Sequence, residues 1–123
     1  MEHRITIVDD EGEVRSALRR LFKVAGMKTQ SYASAEDFLD APSSRDCDCL
    51  ILDHGLPGMN GLELQSRLAA RDRRIPIIFI SAHDDTHTRA KAMQAGALAF
   101  FGKPFNDEVL LRTVRTALQL EGY

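Results

Sequence analysis

Acidic, hydroxyl and cationic residues stand at the ends of successive apolar runs. Asp9-Asp10 follow Ile5 to Val8, Asp53 follows Cys49 to Leu52, Ser81 follows Ile75 to Ile80, and Lys103-Pro104 come just after Ala97 to Phe101. Three carboxylates gathered in one crevice repel one another by about 3 kcal/mol per ionised pair at ~5 Å and an effective dielectric of ~20, so a cation belongs among them. Oxygen-only ligands favour a hard ion such as Mg²⁺, which is commonly held by one or two carboxylates together with phosphate oxygens. The Lys103 ammonium can neutralise a phosphoryl oxygen and the Ser81 hydroxyl can donate to one. Backbone N–H groups after Asp53 and Ser81, those of His54, Gly55 and Ala82, can complete the cradle. Asp53 is then the best nucleophile.

Each piece has a plainer reading alone. Asp9-Asp10 could cap a helix, Lys103-Pro104 could be a turn, and Asp53 before His54-Gly55 could open an ordinary loop. Their joint placement at four strand ends favours the chemical reading.

The elements that position them follow from periodicity. The runs Ile5 to Val8, Cys49 to Leu52 and Ile75 to Ile80 are continuous rather than alternating, as strands buried on both faces are. Ala97 to Phe101 and a weaker Lys28 to Tyr32 complete five strands. Between them, Val14, Ala17, Leu18, Leu21, Phe22 and Ala25 share one helical face, and Gly26 stops that helix. Ser34 opens a short second helix carrying Phe38 and Leu39 that ends near Pro42. Gly61 to Ala70 form a third, with Leu62, Leu68 and Ala69 inward. A fourth runs from Asp84 or Asp85 to Ala95, with Ala90 and Met93 on its core side and Gly96 as its stop. Asn106 caps a fifth, which turns Val109, Leu110, Val114, Ala117 and Leu118 inward. Alternating strands and helices predict an α/β, flavodoxin-like (βα)5 doubly wound fold. Its five-stranded parallel sheet has the order 2-1-3-4-5, and its ligand crevice lies beyond the carboxyl ends of β1 and β3.

The 123 residues fit one domain spanning 1–123. A net charge of −2 from 16 basic and 18 acidic residues offers no broad attraction for nucleic acid or an anionic membrane. The N-terminal apolar run is too short for a signal peptide or a span, so a cytoplasmic location is expected. Cys47 and Cys49, one residue apart, suit neither a relaxed disulfide nor the usual zinc spacing and read as reduced, buried thiols.

Over nearly its whole length the chain resembles the response-regulator receiver family of two-component signalling. The acidic pair appears as Asp9-Asp10 and the phosphoacceptor segment as Leu52-Asp53-His54-Gly55-Leu56-Pro57-Gly58-Met59-Asn60-Gly61. The hydroxyl residue is Ser81-Ala82, and the last segment is Lys103-Pro104-Phe105. The resemblance implies that Asp10, Asp53 and the Gly55 carbonyl ligate Mg²⁺, with Mn²⁺ as a substitute, and that Asp9 acts through a bound water. It implies further that Ser81 and Lys103 hold the phosphoryl group, that Ala82 leaves it room, and that the Lys103-Pro104 bond is cis.

The donor implied is a phosphohistidine on a sensor histidine kinase. The chain would be no enzyme beyond its own phosphoryl transfer and autodephosphorylation. The aromatic switch falls on Phe100, where Tyr is more usual, and would turn with Ser81 to alter the α4-β5-α5 surface. The segment from Ala92 through Phe105 resembles receivers of FixJ-like transcriptional regulators. That likeness implies phosphorylation-dependent homodimers and DNA contact only through an output domain past Tyr123, against the alternative of a stand-alone adaptor. Gly55 is small for its place, so a bulkier residue there is expected to slow dephosphorylation.

Rival readings are weaker. A haloacid-dehalogenase-type phosphatase needs a second acid two residues after its nucleophile, where this chain has Gly55. A pseudo-receiver interaction module would not need Asp10, Asp53, Ser81 and Lys103 together. His83 and His87, at i and i+4, lack a third zinc ligand nearby.

Overall fold

The computed structural model describes residues 3–42, 46–83 and 85–121. Along the chain they form β1 (Arg4–Val8), α1 (Gly12–Val24), β2 (Lys28–Tyr32), α2 (Ala35–Asp40), β3 (Cys49–Asp53), α3 (Gly61–Ala70), β4 (Ile77–Ser81), α4 (Thr86–Gln94), β5 (Ala99–Gly102) and α5 (Asp107–Glu121). The strands pair in parallel in the order β2-β1-β3-β4-β5, as their alternation with helices predicts.

The continuous apolar runs serve two cores at once. Because successive side chains of a strand point to opposite faces, Leu50 and Leu52 pack under α2, α3 and α4 with Val8, Phe79 and Phe100. Cys49 and Ile51 pack on the other face, where Ile7, Ile78 and Ile80 meet Leu18 and Phe22 of α1 and Leu110 and Val114 of α5. Each fully buried Leu, Ile or Phe contributes about 1.5–3 kcal/mol, so the central strands anchor whatever their ends carry.

Helix ends follow local chemistry. Ser34 Oγ accepts from the Asp37 N–H at 3.0 Å, and Asn106 Oδ1 accepts from the Val109 N–H at 3.0 Å. Asn60 and Glu63 form a reciprocal capping box at the start of α3. After α4, the Gly96 N–H reaches Met93 C=O and the Ala97 N–H reaches Ala92 C=O, a Schellman ending that Gly96 permits at φ 103°. This ending absorbs Ala97, so β5 begins at Ala99 rather than at Ala97, and β4 begins at Ile77 rather than Ile75.

Several inward assignments need correction. Ala17, Ala69 and Ala90 are exposed, Met93 is 43% exposed and Val109 38% exposed. In α4 the buried residue is Ala92, and its carbonyl accepts from the buried Gln65 side chain at 3.0 Å. With so few apolar residues in Thr86–Gln94, no periodicity marks the face. Asp85 caps α4, its side chain accepting from the His87 N–H at 3.0 Å; Asp84, the other expected start, and Tyr123 lie outside the described residues.

Candidate functional site: an acidic pocket at the strand ends

Parallel register aligns the strand ends. Val8 pairs with Leu52, Asp53 with Ile80, and Ser81 with Gly102, so the residues just past each strand meet at one edge. Asp9 is fully buried, Asp53 is 4% exposed and Ser81 2% exposed, while Asp10 is open to solvent. Carboxylate oxygens of Asp9, Asp10 and Asp53 all lie within 4.8 Å of one another. Lys103 reaches into the same cluster. Its ammonium donates to Asp9 Oδ2 at 2.9 Å and Glu11 Oε1 at 3.0 Å, and stands 3.8 Å from Asp53 Oδ2. The Lys103-Pro104 bond is cis, and the Lys103 N–H donates to Ser81 C=O at 2.7 Å.

The loop after Asp53 is built by close approach. A side chain at Gly61 would meet His54 Cα and the Phe79 ring at 2.9 Å and the Asp53 carbonyl at 3.0 Å, so α3 packs directly behind Asp53. At Gly55 an added Cβ would stand 3.8 Å from Asp53 Oδ1, an ordinary contact facing open space. Glu36, at the start of α2, ties the same loop through the Met59 N–H at 3.1 Å.

Burial and like charge together act on the acidic cluster. Burial, then the neighbouring Asp9 and also Asp10, push the Asp53 carboxyl up to about 6, against the pull of Lys103 and the Gly55 N–H. Burial lowers Lys103, but hydrogen bonds to Asp9 and Glu11 and the charges of Asp53 and Asp9 outweigh it and hold the ammonium above its ordinary value. An acidic cluster of two buried carboxylates and one exposed, with all-oxygen donors and one lysine, fits a hard divalent cation such as Mg²⁺.

The backbone and hydroxyl donors are differently engaged. The Gly55 N–H donates to Asp53 Oδ1 at 3.1 Å, whereas the His54 N–H is taken by Ile80 C=O at 3.0 Å, extending the strand ladder. Ser81 Oγ donates to His83 C=O at 2.9 Å and accepts from the His83 N–H at 3.1 Å.

Phe100 is buried and stacks on Phe79 with centroids 5.8 Å apart. Arg89 of α4 holds it from outside, donating to Phe100 C=O at 2.9 Å with its guanidinium 5.0 Å from the ring centroid. Sequence reasoning missed Arg89 and Glu11. A third acid after Asp9-Asp10 was a usable signal for Glu11, but nothing along the chain linked Arg89 to β5.

A doubly wound five-stranded sheet with an acidic cluster at its strand ends is the fold and site of a receiver-type signalling domain, and comparison with known proteins shows that family. The family model for the response regulator receiver domain matches residues 5–115, so the chain belongs to the response regulator receiver family of two-component systems. It is 46% identical over 119 residues to the response regulator protein TmoT of Ectopseudomonas mendocina, covering 97% of this chain and 54% of TmoT. It is 35% identical to the transcriptional regulatory protein FixJ of Azorhizobium caulinodans, covering 93% of this chain and 54% of FixJ. The solved structure of the response regulator StyR superposes with a TM-score of 0.89 at 40% identity, over 98% of this chain and 61% of StyR. FixJ-N superposes at 0.85 and 34% identity, over 97% of this chain and 95% of that one. The chain spans about half the length of the curated relatives it matches. No helix among the described residues is long and apolar enough to cross a membrane.

Proposed function

We propose that the chain accepts a phosphoryl group on Asp53 from a phosphohistidine of a sensor histidine kinase in a Mg²⁺-dependent reaction. One observation carries this reading: Asp53, buried at a strand end, has Asp9, Asp10 and Lys103 around it and a carboxyl that burial, and then the neighbouring acids, push up to about 6. A carboxylate oxygen of Asp53 attacks phosphorus, the P–N bond to the donor imidazole breaks, and its electron pair stays with the imidazole, leaving an acyl phosphate. Asp10, Asp53 and the Gly55 carbonyl would hold Mg²⁺, or Mn²⁺ in its place, with Asp9 acting through a water. Bound there, the ion would supply charge neutralisation at the phosphoryl oxygens.

The chain's own residues supply positioning and charge. Lys103 pairs a phosphoryl oxygen, and the backbone N–H groups of Gly55 and Ala82 donate to others. His54 contributes less than its place suggests, because its N–H already serves the sheet. Ser81 turns from His83 toward the phosphoryl group and Phe100 moves with it, changing the α4-β5-α5 face. Likeness to TmoT and FixJ extends the proposal to a cytoplasmic protein in which residues 1–123 form one receiver domain. Its changed face pairs two copies and controls a DNA-binding output domain further along the chain.

Incubation with phosphoramidate and Mg²⁺, followed by intact mass, tests the transfer. A single phosphate adduct that vanishes on chelation of Mg²⁺ is expected. No adduct would mark an interaction module instead, and continuous hydrolysis of many phosphate esters would mark a phosphatase.

A further inference from the structure

Glu11 borders the acidic pocket, and the function proposed above gives it no part. It immediately precedes α1, the place where a short polar side chain commonly accepts from the free N–H groups of the first turn. Ser34, Asn60, Asp85 and Asn106 do this for the other four helices. The Glu11 carboxylate makes no such bond. It turns instead to Lys103, 92 residues along the chain, and accepts from the ammonium at 3.0 Å.

The contact is fixed from both ends. The Glu11 N–H donates to Asp9 Oδ1 at 2.8 Å, and the other oxygen of that carboxylate, Oδ2, accepts from Lys103 at 2.9 Å. Asp9, Glu11 and Lys103 thus close a ring of three hydrogen bonds, and Arg15 pins its base by donating to the Asp9 carbonyl at 2.7 Å. An ammonium carries three N–H donors, so with two of them taken by Asp9 and Glu11 the direction of the third is set. Asp53 Oδ2, at 3.8 Å, is too far for a direct hydrogen bond, yet near enough that an oxygen carried on Asp53 comes within reach. Fold stability does not account for the Glu11 arm. Its side chain is 57% exposed, and exposed ion pairs contribute little to folding.

We propose, resting on the reading that Asp53 accepts phosphate, that Glu11 is a positioning residue for that transfer: it holds the Lys103 ammonium off the Asp53 carboxylate and free to meet the phosphoryl oxygens. Without Glu11 the ammonium keeps only Asp9, and its freed N–H turns to the nearest remaining carboxylate, Asp53, engaging the group that must attack phosphorus. Glu11 itself forms no covalent bond and moves no proton. Its charge and its hold act in opposite directions. As a bare negative charge beside the pocket it repels an anionic donor, so its removal would speed transfer; as a hold on Lys103, its removal slows transfer.

The test compares initial rates of adduct formation with phosphoramidate at saturating Mg²⁺, read by intact mass, for the wild type, Glu11→Ala, Glu11→Asp and Glu11→Gln, with a denaturant melt of each. Glu11→Asp keeps the charge but falls one methylene short of Lys103, and it gives α1 a side chain of the capping kind. It and Glu11→Ala should react about threefold more slowly than wild type or slower still. Glu11→Gln loses the charge but leaves an oxygen to accept from the ammonium, and should restore at least about half of the wild-type rate. Glu11→Asp should melt no earlier than wild type, which separates its slowing from a weakened fold. The proposal is overturned if Glu11→Asp reacts as fast as wild type, if Glu11→Gln is as slow as Glu11→Ala, if Glu11→Ala outpaces wild type, or if the slow variants melt earlier in step with their loss of rate. A wild type that forms no adduct would strike the reading of Asp53 itself, and this inference with it.

Discussion

Asp53 is the residue on which charge and burial meet. Its native carboxyl, pushed up to about 6, lies above the ordinary 3.8, so the ionised form destabilises the fold. That penalty is absent below about pH 3.8 and complete above about pH 6. Asp53→Asn should therefore raise unfolding stability at pH 8 without divalent cations by on the order of 1–3 kcal/mol, and by almost nothing at pH 4. Denaturant melts of both proteins at the two pH values check the sign; an equal gain at both would point to packing and not to charge. Gly55 bears on the lifetime of the product. An added Cβ there meets only Asp53 Oδ1 at 3.8 Å, so Gly55→Arg should fold and shield the acyl phosphate from water, slowing autodephosphorylation several-fold, about 1 kcal/mol in barrier. An unchanged decay of the adduct by intact mass would count against it. The acids, the hydroxyl and the lysine were legible in the sequence because each closes an apolar run. Glu11 was marked only by following Asp9-Asp10, and Arg89 was not marked at all, because its long side chain reaches across to β5 and spacing does not record that.

At the scale of elements, strand composition was the reliable signal and helix faces were less so. Continuous runs such as Cys49–Asp53 read as central strands and are, whereas α4 has too little apolar content for its inward side to show, and its true anchor is Ala92 with the Gln65 bond. The weakly anchored α4 gains a tie to β5 from Arg89, through one hydrogen bond and one ring contact. Arg89→Ala should cost about 1–2 kcal/mol and speed amide hydrogen exchange in α4 and β5 while leaving β1 and β3 protected. Uniform acceleration across all strands, or none in α4, would show that the tie does not hold this corner.

Across the whole molecule, the strand ends that carry Asp53 gather Asp9, Asp10 and Lys103, whereas the opposite edge mixes Arg4 and Lys28 with Asp46 and Asp48. On α4 and α5, which flank β5 with its Phe100, Met93 and Val109 stand partly exposed. Those side chains would be covered in a phosphorylation-dependent dimer. Light scattering of the phosphorylated and free chain should then show a rise toward twice the mass only with the adduct, and Met93→Glu should abolish it without touching phosphorylation. A monomer in both states would remove the dimer from the proposal. The most direct measurement concerns the acceptor itself: wild-type and Asp53→Asn chains, exposed to phosphoramidate and Mg²⁺ and then mapped by peptide mass. One phosphate on the peptide holding Asp53, and none anywhere in the variant, is the expected result. A phosphate retained by Asp53→Asn, or found on His54 or another residue of the wild type, would contradict it.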